Sequence, residues 1–316
     1  MKWELILAII IASLVAFFLF FGGVEVTTAT IWDDTRPLQE VRLSQMKRLS
    51  QGPIYIYYTG ENQLLARGVS TALYQAWLFV KDRLGLELCS FGVVLVEASE
   101  EQVGGLYIKQ QGGLLRSPVP PFPQLIPPGV RSLKEADPHF RVGIYWSMPH
   151  EAVHKIVHLE FDRQARGLEE GLAEYVGYMV ARQFDSEAFQ LMLEKRKEQV
   201  QRVLQSRENP IYDLTQEFPG HLQPLTGQRL LSPSEFTPVE VAGYGVSLAF
   251  WLQIVQQHGE GVIKTFWQRL SQRGFPTAKE AAQILSELTG EDIWTKLQQM
   301  DLHEVLRTLE VAASKP

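Results

Sequence analysis

Cysteine is nearly absent. Cys89 is the only one in 316 residues, so the chain can form no internal disulfide and can assemble neither a cysteine-rich zinc module nor an iron–sulfur cluster by itself. Any metal it holds must be bound by histidine and carboxylate. Cys89 sits in the apolar run Leu88–Val96 and is expected to be a core residue, because a reactive thiol needs an accessible, electropositive setting. A surplus of positive charge is missing too: 30 Lys and Arg stand against 36 Asp and Glu, a net charge of -6. Without a basic field to neutralise phosphates, nucleic acid is not an expected partner. Internal repeats and low-complexity segments are absent as well.

Long apolar runs are confined to the N-terminus, where Leu5–Val24 gives twenty consecutive uncharged residues. At about 1.5 Å per residue such a helix crosses a hydrocarbon core about 30 Å thick. The run exceeds the about 7–15 apolar residues of a secretory signal, and no Ala-x-Ala site follows it, so an uncleaved single-pass anchor is expected. Lys2 on one side and Arg36 and Arg42 on the other nearly balance. The short N-terminal tail then places the main domain on the non-cytoplasmic side.

Residues 26–51 read as a polar stalk between anchor and folded body. Pro53–Tyr58 and Phe91–Val96 have the β-branched and aromatic content of strands. Between them Leu65, Val69, Ala72, Leu73, Ala76 and Val80 recur at helical spacing, and Gly85 closes the pattern. Gly104–Phe140 is crowded with Gly and Pro, cannot be one regular element, and is a candidate wall or lid of a cleft or else a surface insertion. Arg141–Trp146 alternates like an edge strand. Ser147 reads as an N-cap and Pro149 as a first-turn residue of a helix over 148–161. Helices are then expected over 168–183, 186–206, 239–258, 261–273 and from Thr277 onward.

The chemistry concentrates in Pro149-His150-Glu151-Ala152-Val153-His154. Two imidazoles four apart on a helix share one face, a turn apart, and can bind one metal ion. Glu151 lies beside the first of them, within reach of a metal-bound water. His158 continues the series but lies about 12 Å along the axis from His150, too far to share the ion. A third ligand is expected from Gly167-Leu168-Glu169-Glu170-Gly171-Leu172-Ala173-Glu174-Tyr175, where Gly167 allows a break and a second helix begins. If Glu170 binds the metal, Glu174 one turn on can accept a hydrogen bond from a ligand histidine. The plainer alternative makes Glu169, Glu170 and Glu174 a solvated helix face.

The pair His150-Glu151-x-x-His154 and Glu170-Gly171-x-Ala173-Glu174-Tyr175 resembles the gluzincin metallopeptidases of the peptidase MA-like superfamily, the group of thermolysin and the membrane-alanyl aminopeptidases. The resemblance implies one zinc ion on His150, His154 and Glu170, with Glu151 as general base in hydrolysis of a peptide or protein substrate. By the same analogy Tyr244, in Tyr244-Gly245-Val246-Ser247, would donate to the oxyanion, with His221 as a rival donor. The interval from His154 to Glu170 is shorter than in the best-known gluzincins, and no sequence that anchors a free amino terminus is found, which favours an endopeptidase. The expected architecture is α+β: a transmembrane helix (1–25), a stalk (26–51) and a metallopeptidase domain (52–310), made of a small α/β sheet lobe (52–147) and a mainly helical lobe (148–310). A catalytically silent domain that binds or chaperones partners, and a membrane-tethered interaction module in which the motif is coincidence, are the alternatives.

Overall fold

The computed structural model describes residues 28–32, 37–42, 45–88, 90–97, 107–109, 122–156, 166–218, 237–273 and 277–314. The anchor expected at Leu5–Val24, together with Cys89, His158 and His221, lies outside them. The described chain is a mixed α+β protein. Strands β1 (Thr28–Trp32), β2 (Pro37–Arg42), β3 (Lys47–Gln51), β4 (Ile54–Tyr58), β5 (Phe91–Glu97), β6 (Tyr107–Lys109) and β7 (Phe122–Ile126) form two sheets. One has the order β2-β1-β6 and the other β3-β4-β5-β7.

The four-stranded sheet follows from its residues. β3 and β4 form an antiparallel hairpin whose turn needs a left-handed residue, supplied by Gly52 at φ 56°. β4 alternates buried and half-buried positions, so one face meets the core, whereas β5 is buried at six successive positions. β5 lies between β4 and β7, parallel to both, and its unbroken apolar run suits a strand covered on both faces. Helix α1 (Gln63–Leu84) connects β4 to β5 and buries Leu65, Val69, Ala72, Leu73, Ala76 and Val80. Gly85 ends it at φ 65°, donating its N–H to Lys81 O. Thr28–Trp32, Pro37–Arg42 and Lys47–Gln51, all within the segment expected to be a stalk, are thus sheet strands, and Phe122–Ile126, expected in an irregular wall, is a strand as well.

The segment read as an edge strand at Arg141–Trp146 is helical instead. Asp137 caps helix α2 (Pro138–Val142) by accepting from Phe140 N–H, and Pro138 takes the first turn. The chain then widens into one π-helical turn, Gly143–Ser147, and continues as α3 (Met148–Ile156). Met148 N–H bonds Gly143 O, five residues back. The wide turn directly precedes Pro149, whose ring carries no N–H for the carbonyl four residues earlier. Ser147 is therefore an interior residue, and the true cap is Asp137, upstream of the π turn. Arg141 ties this helical run to the next layer through Asp185, Nε to Oδ2 at 2.6 Å.

The remainder is helical: α4 (Arg166–Phe184), α5 (Ser186–Gln205), α6 (Pro238–His258), α7 (Gly261–Ser271), α8 (Ala278–Thr289), α9 (Ile293–Gln298) and α10 (Leu302–Ser314), with a short ladder of β8 (Ile211–Tyr212) and β9 (Met300–Asp301). α4 is buried at every position from Glu170 through Ala181, all round the helix, and forms the centre of the bundle. α6 has the length and composition of a membrane span, yet Ala242–Ile254 packs into the protein core and Thr237 and Glu240 close a capping box at its start. α4 and α6 approach closely at Gly171, where a Cβ would lie 2.7 Å from Ser247 O and 2.6 Å from Trp251 Cδ1. Trp251 Nε1 donates to Leu168 O at 2.9 Å across the same contact.

Candidate metal centre

Helices α3 and α4 lie side by side, and their contact brings three buried or half-buried side chains to one point. His150 Nε2 and His154 Nε2 are 3.1 Å apart, as the i and i+4 spacing requires. Glu170 Oε2 lies 3.2 Å from the first and 3.3 Å from the second. Glu151, between the two histidines in sequence, is half-buried on the same helix.

The far side of each imidazole meets a different carboxylate. His154 Nδ1 is 2.7 Å from Glu169 Oε1. His150 Nδ1 lies 3.0 Å from Glu174 Oε1, at ion-pair distance although the ring N–H is not aligned for a hydrogen bond. Carboxylates at both Nδ1 atoms favour the tautomer protonated there, which leaves both Nε2 lone pairs facing each other and Glu170 Oε2. Glu170 Oε2 is buried and has no hydrogen-bond donor among the described residues. Three acceptors therefore converge on one point.

A cation fits that arrangement. Ligands about 2.0–2.1 Å from a tetrahedral zinc are about 3.3–3.4 Å apart, close to the observed separations. The donor set of two imidazoles and one carboxylate is one that zinc accepts, with a fourth position left over.

Two guanidiniums stand behind the acids. Arg196, from α5, donates Nε to Glu174 Oε2 at 2.8 Å and Nη2 to Oε1 at 2.7 Å. Trp146, from the π turn, adds a third donor to the same fully buried carboxylate, Nε1 to Oε2 at 3.3 Å. Arg166, at the start of α4, places Nη2 2.9 Å from Glu170 Oε1.

Burial acts to lower the pKa of both histidines, but the surrounding carboxylates outweigh it. Glu170 and Glu174 hold His150 up at about 9, and Glu170 with Glu169 holds His154 well above its ordinary value. Burial acts to raise the acids, yet the histidines and Arg166 keep Glu170 well below the usual carboxylate range. Arg196 and His150 bring Glu174 down to about 2. Without a cation the cluster takes up protons in its place, so metal binding would release them.

Tyr244, from α6, has its ring centroid 6.2 Å from that of His150 and packs between Phe218 and Arg196. Burial and the charge of Glu170 raise its hydroxyl pKa against the opposing pull of Arg166 and Arg196, so it remains a proton-bearing donor at neutral pH.

The structure thus brings together His150, His154, Glu170, Glu174 and Tyr244. Gly167 is not a break but the second residue of α4, buried against the side chain of Leu214. Glu169, read in the sequence as part of a helix face, instead meets His154, and Arg166, Arg196 and Trp146 carried no sequence signal for their roles. No protein-family model matches the chain, and no curated protein matches it either.

Proposed function

We propose that the chain is a zinc-dependent peptidase of gluzincin type, with His150, His154 and Glu170 as metal ligands and Glu151 as the catalytic base. The observation that carries this reading is the convergence of His150 Nε2, His154 Nε2 and the donorless Glu170 Oε2 within 3.1–3.3 Å of one another. Lone pairs so arranged repel unless a proton or a cation lies among them. When bound, the metal would supply Lewis acidity, making water a stronger acid and polarising a substrate carbonyl.

The chain's own groups perform the remainder. Glu151 is half-buried on the same helix as His150 and His154 and is the group assigned to accept a proton from the attacking water and deliver it to the leaving amine. Glu169 accepts from His154 Nδ1 and orients that ring, and Glu174 lies at ion-pair distance from His150 Nδ1, both on the side away from the metal position. Tyr244 stands beside His150 with a protonated hydroxyl, suited to donate to the oxygen on which negative charge develops. An unfolded protein such as casein is the substrate to try, since nothing in the sequence anchors a free amino terminus. Glu151→Gln should keep its metal and lose casein hydrolysis, while His150→Ala should lose both; undiminished hydrolysis by purified Glu151→Gln would refute the assignment of the base.

The anchor at Leu5–Val24 makes this a single-pass membrane enzyme in the same proposal, with the catalytic domain on the non-cytoplasmic side. Extraction of the protein from membranes by alkaline carbonate would contradict the anchor, and resistance of the domain to external protease on intact cells or sealed right-side-out vesicles would contradict the orientation.

A further inference from the structure

Arg166 is placed at a cost that the peptidase assignment does not explain. A cation in the first turn of a helix opposes the helix dipole, and an arginine four residues before a glutamate is the weaker order for a helical ion pair. The side chain is only 14% exposed, and its Nε is buried without a hydrogen-bond partner among the described residues. A donor buried without a partner loses its hydration and gains nothing in return. Residues that break several local preferences at once tend to serve a site.

Of its contacts, which include the Tyr244 hydroxyl and the Phe218 ring, the one with Glu170 points to the service rendered. Arg166 Nη2 meets Oε1 of Glu170 at 2.9 Å, while the two histidines face Oε2. The two oxygens of one carboxylate are thereby given separate tasks. We infer that Arg166 is a positioning residue that restricts Glu170 to one-oxygen coordination: with Oε1 held by the guanidinium, only Oε2 is offered to the cation, and a coordination position stays open for water. Released from Arg166, Glu170 would turn both oxygens to the metal, as carboxylates readily do, and fill the position that the reaction needs. The inference rests on the metal reading above, and it goes further by assigning the openness of the site to one side chain.

Cobalt(II) is the probe, because its visible absorption is strong when four-coordinate and weak when five-coordinate. Full-length protein would be loaded with cobalt as wild type, Arg166→Met, Arg166→Lys and His150→Ala, with circular dichroism to verify folding. Expected are one cobalt per wild-type chain with a strong four-coordinate spectrum, a weak five-coordinate spectrum in Arg166→Met, and partial return of the strong bands in Arg166→Lys. Competition with a chelator should show cobalt bound more tightly in Arg166→Met, which adds a ligand oxygen and removes a positive charge beside the cation. A five-coordinate spectrum in the wild type, or a folded Arg166→Met with wild-type spectrum and affinity, would overturn the role of Arg166; the wild-type spectrum decides this even if Arg166→Met does not fold. Failure of wild-type protein to bind cobalt, or equal binding by His150→Ala, would instead overturn the metal reading itself.

Discussion

Replacing Glu174 by alanine tests the charge arrangement behind the metal position. The carboxylate is fully buried and receives two hydrogen bonds from Arg196 at 2.7 and 2.8 Å and a third from Trp146 at 3.3 Å. Its removal leaves a guanidinium uncompensated in the core, and Arg196 is itself only 7% exposed. Breaking a buried pair from one side costs about 3–5 kcal/mol, a large part of the about 5–15 kcal/mol that holds a domain folded. Arg196 and His150 also hold the folded-state pKa of Glu174 below its ordinary 4.5, at about 2, against the opposing effect of burial, so ionisation of this carboxyl stabilises the fold. Because the folded value is the depressed one, this stabilisation is complete above pH 4.5 and is lost as the pH falls through about 2. Thermal unfolding followed by circular dichroism at pH 7, with chelator present so that metal contributes nothing, should show Glu174→Ala melting on the order of 10 °C lower. Glu174→Leu combined with Arg196→Met should recover most of the loss, since a well-packed apolar pair replaces a buried ionic one at little cost. A single-variant loss below about 1 kcal/mol, the value of an exposed ion pair, would refute the reasoning.

Other positions give independent checks. Gly171→Ala places a methyl group 2.6 Å from Trp251 and 2.7 Å from Ser247 O, and urea unfolding should show a loss of about 1–3 kcal/mol from overpacking; an unchanged midpoint would mean that α4 and α6 are not so close. Glu291, whose carboxyl is held below its ordinary 4.5 by Lys296 and His258 against the opposing effect of burial, contributes stability above that pH and loses it as the pH falls. The stability difference between wild type and Glu291→Gln should therefore shrink in acid titrations below pH 4.5, and a difference that grows there would contradict the ion-pair account.

Periodicity made most of the helices legible. Apolar spacing located α1, and Gly85 marked its end because it has a positive φ of 65°; the helices expected over 186–206, 239–258 and 261–273 coincide with α5, α6 and α7 to within two residues, whereas the one expected from Thr277 onward divides into α8, α9 and α10. It failed at Arg141–Trp146, where Ile144 and Trp146 are both buried two residues apart and so imitate a strand, although an Asp137 cap and a π turn make the segment helical. The two histidines and Glu170 were readable because helical spacing alone places the first pair on one face, and a nearby acidic helix start supplies the third. Their supports were not. Arg196 meets Glu174 from 22 residues away and Trp146 from 28, contacts that arise only when α5 and the π turn pack against α4. Glu169 could not be separated from a solvated acid by its own sequence surroundings, since its partner is set by the rotation of α4 against α3.

The central claim is most directly tested by the metal content of the purified full-length protein, measured by elemental analysis beside His150→Ala and Glu170→Ala. The account predicts one zinc per wild-type chain, lost or greatly weakened in both variants. Wild-type protein that stays free of metal after incubation with zinc, or variants that retain a full equivalent, would contradict it.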